Sequence, residues 1–122
     1  MHKLMILIEA LDDWTTFDDI WPQFLHQAED MPGLRREVTS RVDSVLFGKG
    51  DYAVIHELYF DSLGAAQEAM SSTPGREAGR ILQGITDGHL TLLFADHKED
   101  DIENIRKYKN AAEEDEPSAD PE

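Results

Sequence analysis

His56 and Glu57 adjoin one another in the middle of DYAVIHELYFDS, Asp51 to Ser62, a stretch otherwise dominated by apolar residues. An imidazole or a carboxylate in such a setting needs a partner or a water-lined cavity, because burying an unpaired charge is costly. At the two-residue period of a strand, Val54, His56, Leu58 and Phe60 point one way, and Ala53, Ile55, Glu57 and Tyr59 the other. Glu57, flanked on its face by Ile55 and Tyr59, is the candidate for acid or base work. The structural alternative is an ion pair with Lys3, Arg35 or Arg41. His56 points away from Glu57, towards the covering helices, and reads as a satisfied core histidine or a group lining a ligand site. His26 stands near Trp21 at a possible cavity mouth, although Trp21 and Trp14 equally suit helix-to-sheet packing. A metal centre is not expected: His56 and Glu57 diverge, no two histidines have ligand spacing, and there is no cysteine. No glycine-rich phosphate loop follows a strand, so a nucleotide cofactor is not expected either.

The elements that must position these groups belong to one domain with one core, since the chain has 122 residues and an ordinary apolar content. A net charge of −15 disfavours nucleic acid, whose binding rests on Lys and Arg against phosphate. No apolar run approaches the roughly 20 residues of a membrane span. The opening MHKLMILIEA reads as a first strand rather than a secretory signal, and with the absence of cysteine it predicts a cytoplasmic protein.

Lys3 to Glu9 is a short continuous apolar run and predicts a central strand. Thr16, with Asp19 three residues on, resembles a helix cap. The stripe Phe17, Ile20, Phe24, Leu25, Ala28 and Met31 then predicts a helix packed on the sheet. Pro22 inside that stripe predicts a kink, or a fresh start near Trp21. Pro32 and Gly33 end the helix, and Leu34 to Phe47 reads as a long, polar edge strand. A turn at Gly48 to Asp51 makes a hairpin of this strand and the one carrying Glu57. Asp61 or Ser62 caps a helix with Leu63, Ala66, Ala69 and Met70 inward. Thr73 and Pro74 open a third helix with Ala78, Ile81, Leu82 and Ile85 as its stripe. Asp87-Gly88 is a turn, and His89 to Ala95 is a strand with apolar residues on both faces. Residues 1–97 form the domain and residues 98–122 an acidic extension. That extension offers only Ile102, Ile105 and Tyr108 for burial, and EEDEPSADPE at its end is expected to be disordered, a solvated tail or a docking segment for a basic partner.

The order strand, helix, strand, strand, helix, short helix, strand is that of an α+β, ferredoxin-like βαββαβ domain with an antiparallel four-stranded sheet. Helices cover one sheet face. Ile55, Tyr59 and one side of Leu4 to Ile8 are left on the other, an apolar patch larger than a monomer ordinarily exposes, so a second copy of the chain is expected there.

The sequence resembles the EthD-like family of the dimeric α+β barrel superfamily, over Lys3 to about Phe94. The resemblance is carried by KLMILIE, by PGLRR at Pro32 to Arg36, by HELYFDSLGAAQEAM from His56 to Met70 and by GHLTLLFAD. It implies a homodimer of two face-to-face sheets, with a small cavity between each sheet and its helices or partner. It also implies small-molecule chemistry, often degradation of organic compounds or polyketide-type reactions. Many relatives carry a His followed shortly by Pro-Leu in the first helix; here Phe24, Leu25 and His26 stand in that neighbourhood, and His26 is the nearest candidate. Glu57 matches within HELYF. The expectation is a cofactor-free enzyme acting on an apolar or aromatic compound, with Glu57 assisting proton transfer and Tyr59, His26 and Trp21 shaping the pocket. The alternative is a noncatalytic ligand-binding or accessory protein.

Overall fold

The computed structural model describes residues 1–100 and Ile102. Seven elements run in order β1 (His2–Glu9), α1 (Thr15–Glu29), β2 (Arg36–Arg41), β3 (Tyr52–Phe60), α2 (Leu63–Ser71), α3 (Thr73–Thr86) and β4 (Leu90–Asp96). The strands form one antiparallel sheet in the order β2-β3-β1-β4. This is the α+β, ferredoxin-like arrangement that the element order implies. The expectations for Ile105, Tyr108 and the last ten residues lie outside the described residues.

Register converts strand parity into two chemically different faces. Leu4 lies opposite Leu58 and Phe94, Ile6 opposite His56 and Leu92, and Ile8 opposite Val54 and Leu90. In β1 and β3 the residues of these rows are buried under the helices with Phe17, Phe24 and Ala28 of α1 and Ala78, Ile81, Leu82 and Ile85 of α3. The intervening residues, Lys3, Met5, Leu7, Ile55 and Glu57, are only half-buried and face away from the helices.

Local chemistry departs from the sequence reading at five places, the simplest being Leu63, expected inward on α2 but exposed. Helix α1 begins at Thr15, not after a Thr16 cap: Asp13 Oδ1 accepts the Thr15 amide at 2.9 Å. No fresh start occurs at Trp21, and α1 continues through Pro22, which is solvent-exposed while Phe17 and Phe24 on either side are anchored in the core. Strand β2 ends at Arg41 instead of reaching Phe47, because the following segment turns through Gly48 and Gly50, both at positive φ (107° and 120°), a conformation open to glycine. Val45, Leu46 and Phe47 consequently project outward, Leu46 100% and Phe47 95% exposed. Finally, Ser72, not Thr73, caps α3: its Oγ accepts the Gly75 amide at 3.1 Å, with Pro74 in the first turn. Ser62 caps α2 as expected, accepting the Ala65 amide at 3.1 Å.

Gly75 shows how tightly α2 and α3 meet. A Cβ there would stand 2.1 Å from the Ala69 carbonyl oxygen, so glycine alone fits the approach.

Candidate functional site

The sheet face turned away from the helices holds the first cluster. Register sets Met5 and Val38 on either side of Glu57, and Lys3 and Arg36 on either side of Tyr59. Diagonal neighbours are within reach of long side chains, and Lys3 Nζ meets Glu57 Oε1 at 2.5 Å. Tyr59 donates its hydroxyl to the same oxygen at 3.3 Å. Lys3 and Glu57 are 15% and 14% exposed at their side chains, so the pair is sheltered without being sealed. The Glu57 hydrogen bond raises the Lys3 pKa above its ordinary value and keeps the ammonium charged. Around them the face is apolar: Met5, Leu7, Val38 and Ile55 are half-buried, and Leu93, opposite Met5, is 40% exposed.

Tyr59 is itself buried, enclosed by cations and by the chain beyond β4. The Arg36 guanidinium lies 4.6 Å from its ring centroid, and the His97 ring packs edge-on at 4.8 Å. His97 Nε2 bonds Glu99 Oε1 at 2.6 Å, and Arg36 stands 3.7 Å from the same oxygen. The His97 bond, with Arg36 nearby, holds the Glu99 carboxyl below its ordinary pKa. Lys3, Arg36 and Glu57 thus converge on one phenol.

The covered face holds a different group. His56 is fully buried, its ring edge-on to Trp21 (5.2 Å) and Phe24 (5.6 Å). Both ring nitrogens are engaged, Nδ1 with Thr39 Oγ1 at 2.7 Å and Nε2 with Glu37 Oε2 at 2.9 Å. Burial pushes the His56 pKa down, against the opposing pull of Glu37. These distances describe a satisfied core histidine that ties β2 to β3.

The six residues singled out from sequence therefore divide. Glu57, Tyr59 and Ile55 share the open face; His56 and Trp21 share the covered one; His26 is exposed on α1, beside a surface groove with Gln23, Glu77 and Ile81. A single pocket combining Glu57 and Tyr59 with His26 and Trp21 is not formed within one chain, because the sheet stands between them. Arg35, a possible partner for Glu57, instead bonds Asp61 through both Nε and Nη2. Arg36 and His97 went unnoticed in the sequence, although the period-two register of β2 against β3 puts Arg36 beside Tyr59. The same parity would have found Thr39, opposite His56. Among the described residues no group of three or more His, Asp or Glu could hold a metal ion, and no helix is long and apolar enough to cross a membrane.

An antiparallel β2-β3-β1-β4 sheet with helices on one face only is the ferredoxin-like arrangement that the EthD-like resemblance implies. The chain is similar to a solved EthD (ethyl tert-butyl ether D) family protein from Bacillus halodurans. The match has 25% identity and a TM-score of 0.73, covering 80% of this chain and 99% of that one. An uncharacterised 11.0 kDa protein of the thcB-thcC intergenic region of Rhodococcus erythropolis is 23% identical over 99 residues, 80% of this chain and 96% of that protein. No family model matches the sequence. Two more distant structures share the fold. A dimeric ferredoxin-like protein of unknown function from Jannaschia has a TM-score of 0.62 and 14% identity, covering 79% of this chain and 98% of that one. SnoaB, a cofactor-independent oxygenase from Streptomyces nogalater, has a TM-score of 0.61 and 9% identity, covering 81% and 94%.

Proposed function

We propose that two copies of this chain pack through their open sheet faces, and that the enclosed space is the site of a cofactor-free reaction on a small apolar or aromatic compound. The observation that carries the reading is the Glu57 carboxylate, bonded to Lys3 and Tyr59 at 14% side-chain exposure on a face otherwise built from Met5, Leu7, Val38, Ile55 and Leu93. Such a trio suits proton removal from an enolisable or phenolic substrate. Glu57 takes the proton as general base, and the Lys3 ammonium and the Tyr59 hydroxyl stabilise the oxyanion left behind. An apolar surround strengthens both interactions by excluding water. Relatives with this fold described as dimeric, and one described as a cofactor-independent oxygenase, support the same reading. In this arrangement Glu57 is the catalytic residue, Tyr59 and Ile55 line the site, and His56, Trp21 and His26 lie behind the sheet.

The test uses a panel of enolisable aryl ketones in heavy water, with exchange of their α C–H protons followed by NMR. Wild-type protein should accelerate exchange for part of the panel, and Glu57→Gln should abolish it while preserving the dimer. A second reading, a noncatalytic binding protein, is favoured by one fact: Lys3 already occupies the carboxylate. On that reading Glu57→Gln mainly lowers the melting temperature, because the Lys3 charge loses its partner, and no panel member exchanges faster with protein than without it.

A further inference from the structure

A groove of about 520 Å³ runs between α3 and the free edge strand β4, on the helix-covered side and away from Glu57. Arg76, Gly79, Arg80 and Gln83 recur at three- and four-residue spacing and so share the helix face that borders it. Gly79 carries no side chain, and a Cβ there would meet nothing within 4 Å, so the wall is recessed at its centre. Leu82, Leu90 and Leu92 form the apolar floor, with Leu92 43% exposed. The volume falls in the range of small-molecule sites, about 300–1,000 Å³.

The rim is cationic on a chain whose net charge is −15. Arg80 is held by Glu77 through Nε and Nη2. Arg76 is different: among the described residues its guanidinium forms no hydrogen bond and no ion pair, although it stands beside exposed leucine. A planar guanidinium offers two parallel donors that match a carboxylate. One such fork over an apolar floor is complementary to a single negative charge on an apolar body, whereas an extended acidic partner would meet the repulsion of the whole chain.

We infer that the α3/β4 groove binds a small amphipathic carboxylate, its charge on Arg76 and its apolar body on Leu82, Leu90 and Leu92. Gly79 leaves the space for that body, and Arg80 and Gln83 border the head group. The inference is independent of the proposed reaction, which uses the opposite face of the sheet.

Octanoate is the probe, with 1-octanol and octylamine as charge controls, each titrated into the full chain labelled with ¹⁵N. Octanoate should shift amides between Arg76 and Leu92 saturably, and octanol should bind about tenfold more weakly or less, since it forfeits a charge-assisted pair. Octylamine should be weaker still. Arg76→Gln should cost octanoate about tenfold in affinity, and Gly79→Phe, which fills open space, should block it while leaving distant amides unmoved. Glu57→Gln should bind octanoate as the parent does. The inference is overturned if octanol matches octanoate, if Arg76→Gln or Gly79→Phe leaves the affinity unchanged, or if the shifts gather on Met5, Ile55 and Leu93. It is equally overturned if Gly79→Phe changes the oligomeric mass instead of the affinity, which would assign the groove to a second copy.

Discussion

The two faces of the central strands are built from the same alternation and have opposite chemistry. On the covered face the central polar group is matched within the chain: His56, fully buried, has both ring nitrogens engaged by Thr39 and Glu37. On the open face the apolar residues are only half-buried, and the one sheltered carboxylate shares its partner with solvent. A polar residue with complete hydrogen bonding in a dry core specifies a structure. A charged one on an apolar but accessible surface remains available to something else. The difference assigns His56 to architecture and leaves Glu57 for the proposed chemistry, although the two are adjacent in sequence.

The largest effect should come from breaking the covered face. Phe60→Ala removes a fully buried ring and is expected to cost about 3–5 kcal/mol of unfolding free energy, independent of protein concentration. Chemical denaturation at two concentrations checks both parts; a loss below about 1 kcal/mol would mean the covered face is not the core. Next in size is Ile55→Asp on the open face. It should leave single-chain folding largely intact and convert a species of twice 13.8 kDa into one of 13.8 kDa by light scattering at micromolar concentration. A parent protein that is already a monomer would remove the barrel from the account.

The fold was legible because period and punctuation agreed along the chain. The alternation in β3, the stripe of Ala78, Ile81, Leu82 and Ile85 and the Asp87-Gly88 turn each point to the element observed. Of the two outcomes expected at Pro22 the fresh start is absent, since α1 runs through it in one piece with Phe17 and Phe24 buried on either side. The site was legible only in part. Strand parity separated Glu57 from His56, but parity within one strand says nothing about the register of its neighbours. The contacts of Arg36 with Tyr59 and of Thr39 with His56 therefore emerged only from pairing. His26 does not share a face with Glu57 within one chain for a simpler reason. The helices lie on one side of the sheet, and Glu57 points to the other.

A smaller effect, which sharpens the contrast, lies in pH. The folded His56 pKa is below its ordinary 6.5 because of burial, so the folded chain binds fewer protons than the unfolded one as pH falls through that value. The stability owed to neutral His56 is fully present above pH 6.5 and is lost progressively below it, towards the folded pKa. Melting temperatures measured from pH 7.5 to 5.5 should fall, and His56→Gln should be less stable at pH 7.5 yet flatter across the range. An equal slope in both proteins would assign the acid sensitivity to the carboxylates instead. Lys3 has the opposite sense: its raised pKa contributes stability below the ordinary 10.5, lost as pH rises through the folded value.

The smallest effect is expected at the loop joining β2 to β3. Leu46 and Phe47 are almost wholly exposed, followed by two glycines at positive φ, and add nothing to the core of a single chain. Replacing both with serine in the Ile55→Asp background should change the unfolding free energy by no more than about 0.5 kcal/mol, the range of surface substitutions distant from any packed feature. In the wild-type background the same pair has a second readout. Val42 bonds Ala53 across the base of this loop, so its tip projects from the end of the sheet where Leu7 and Ile55 lie. A face-to-face partner would offer the two side chains apolar surface that one chain lacks. Weaker dimerisation of Leu46→Ser with Phe47→Ser, at unchanged single-chain stability, is the expected result. A loss of several kcal/mol in the Ile55→Asp background would show that the loop packs on its own chain, and would erase the contrast between the faces at that end of the sheet.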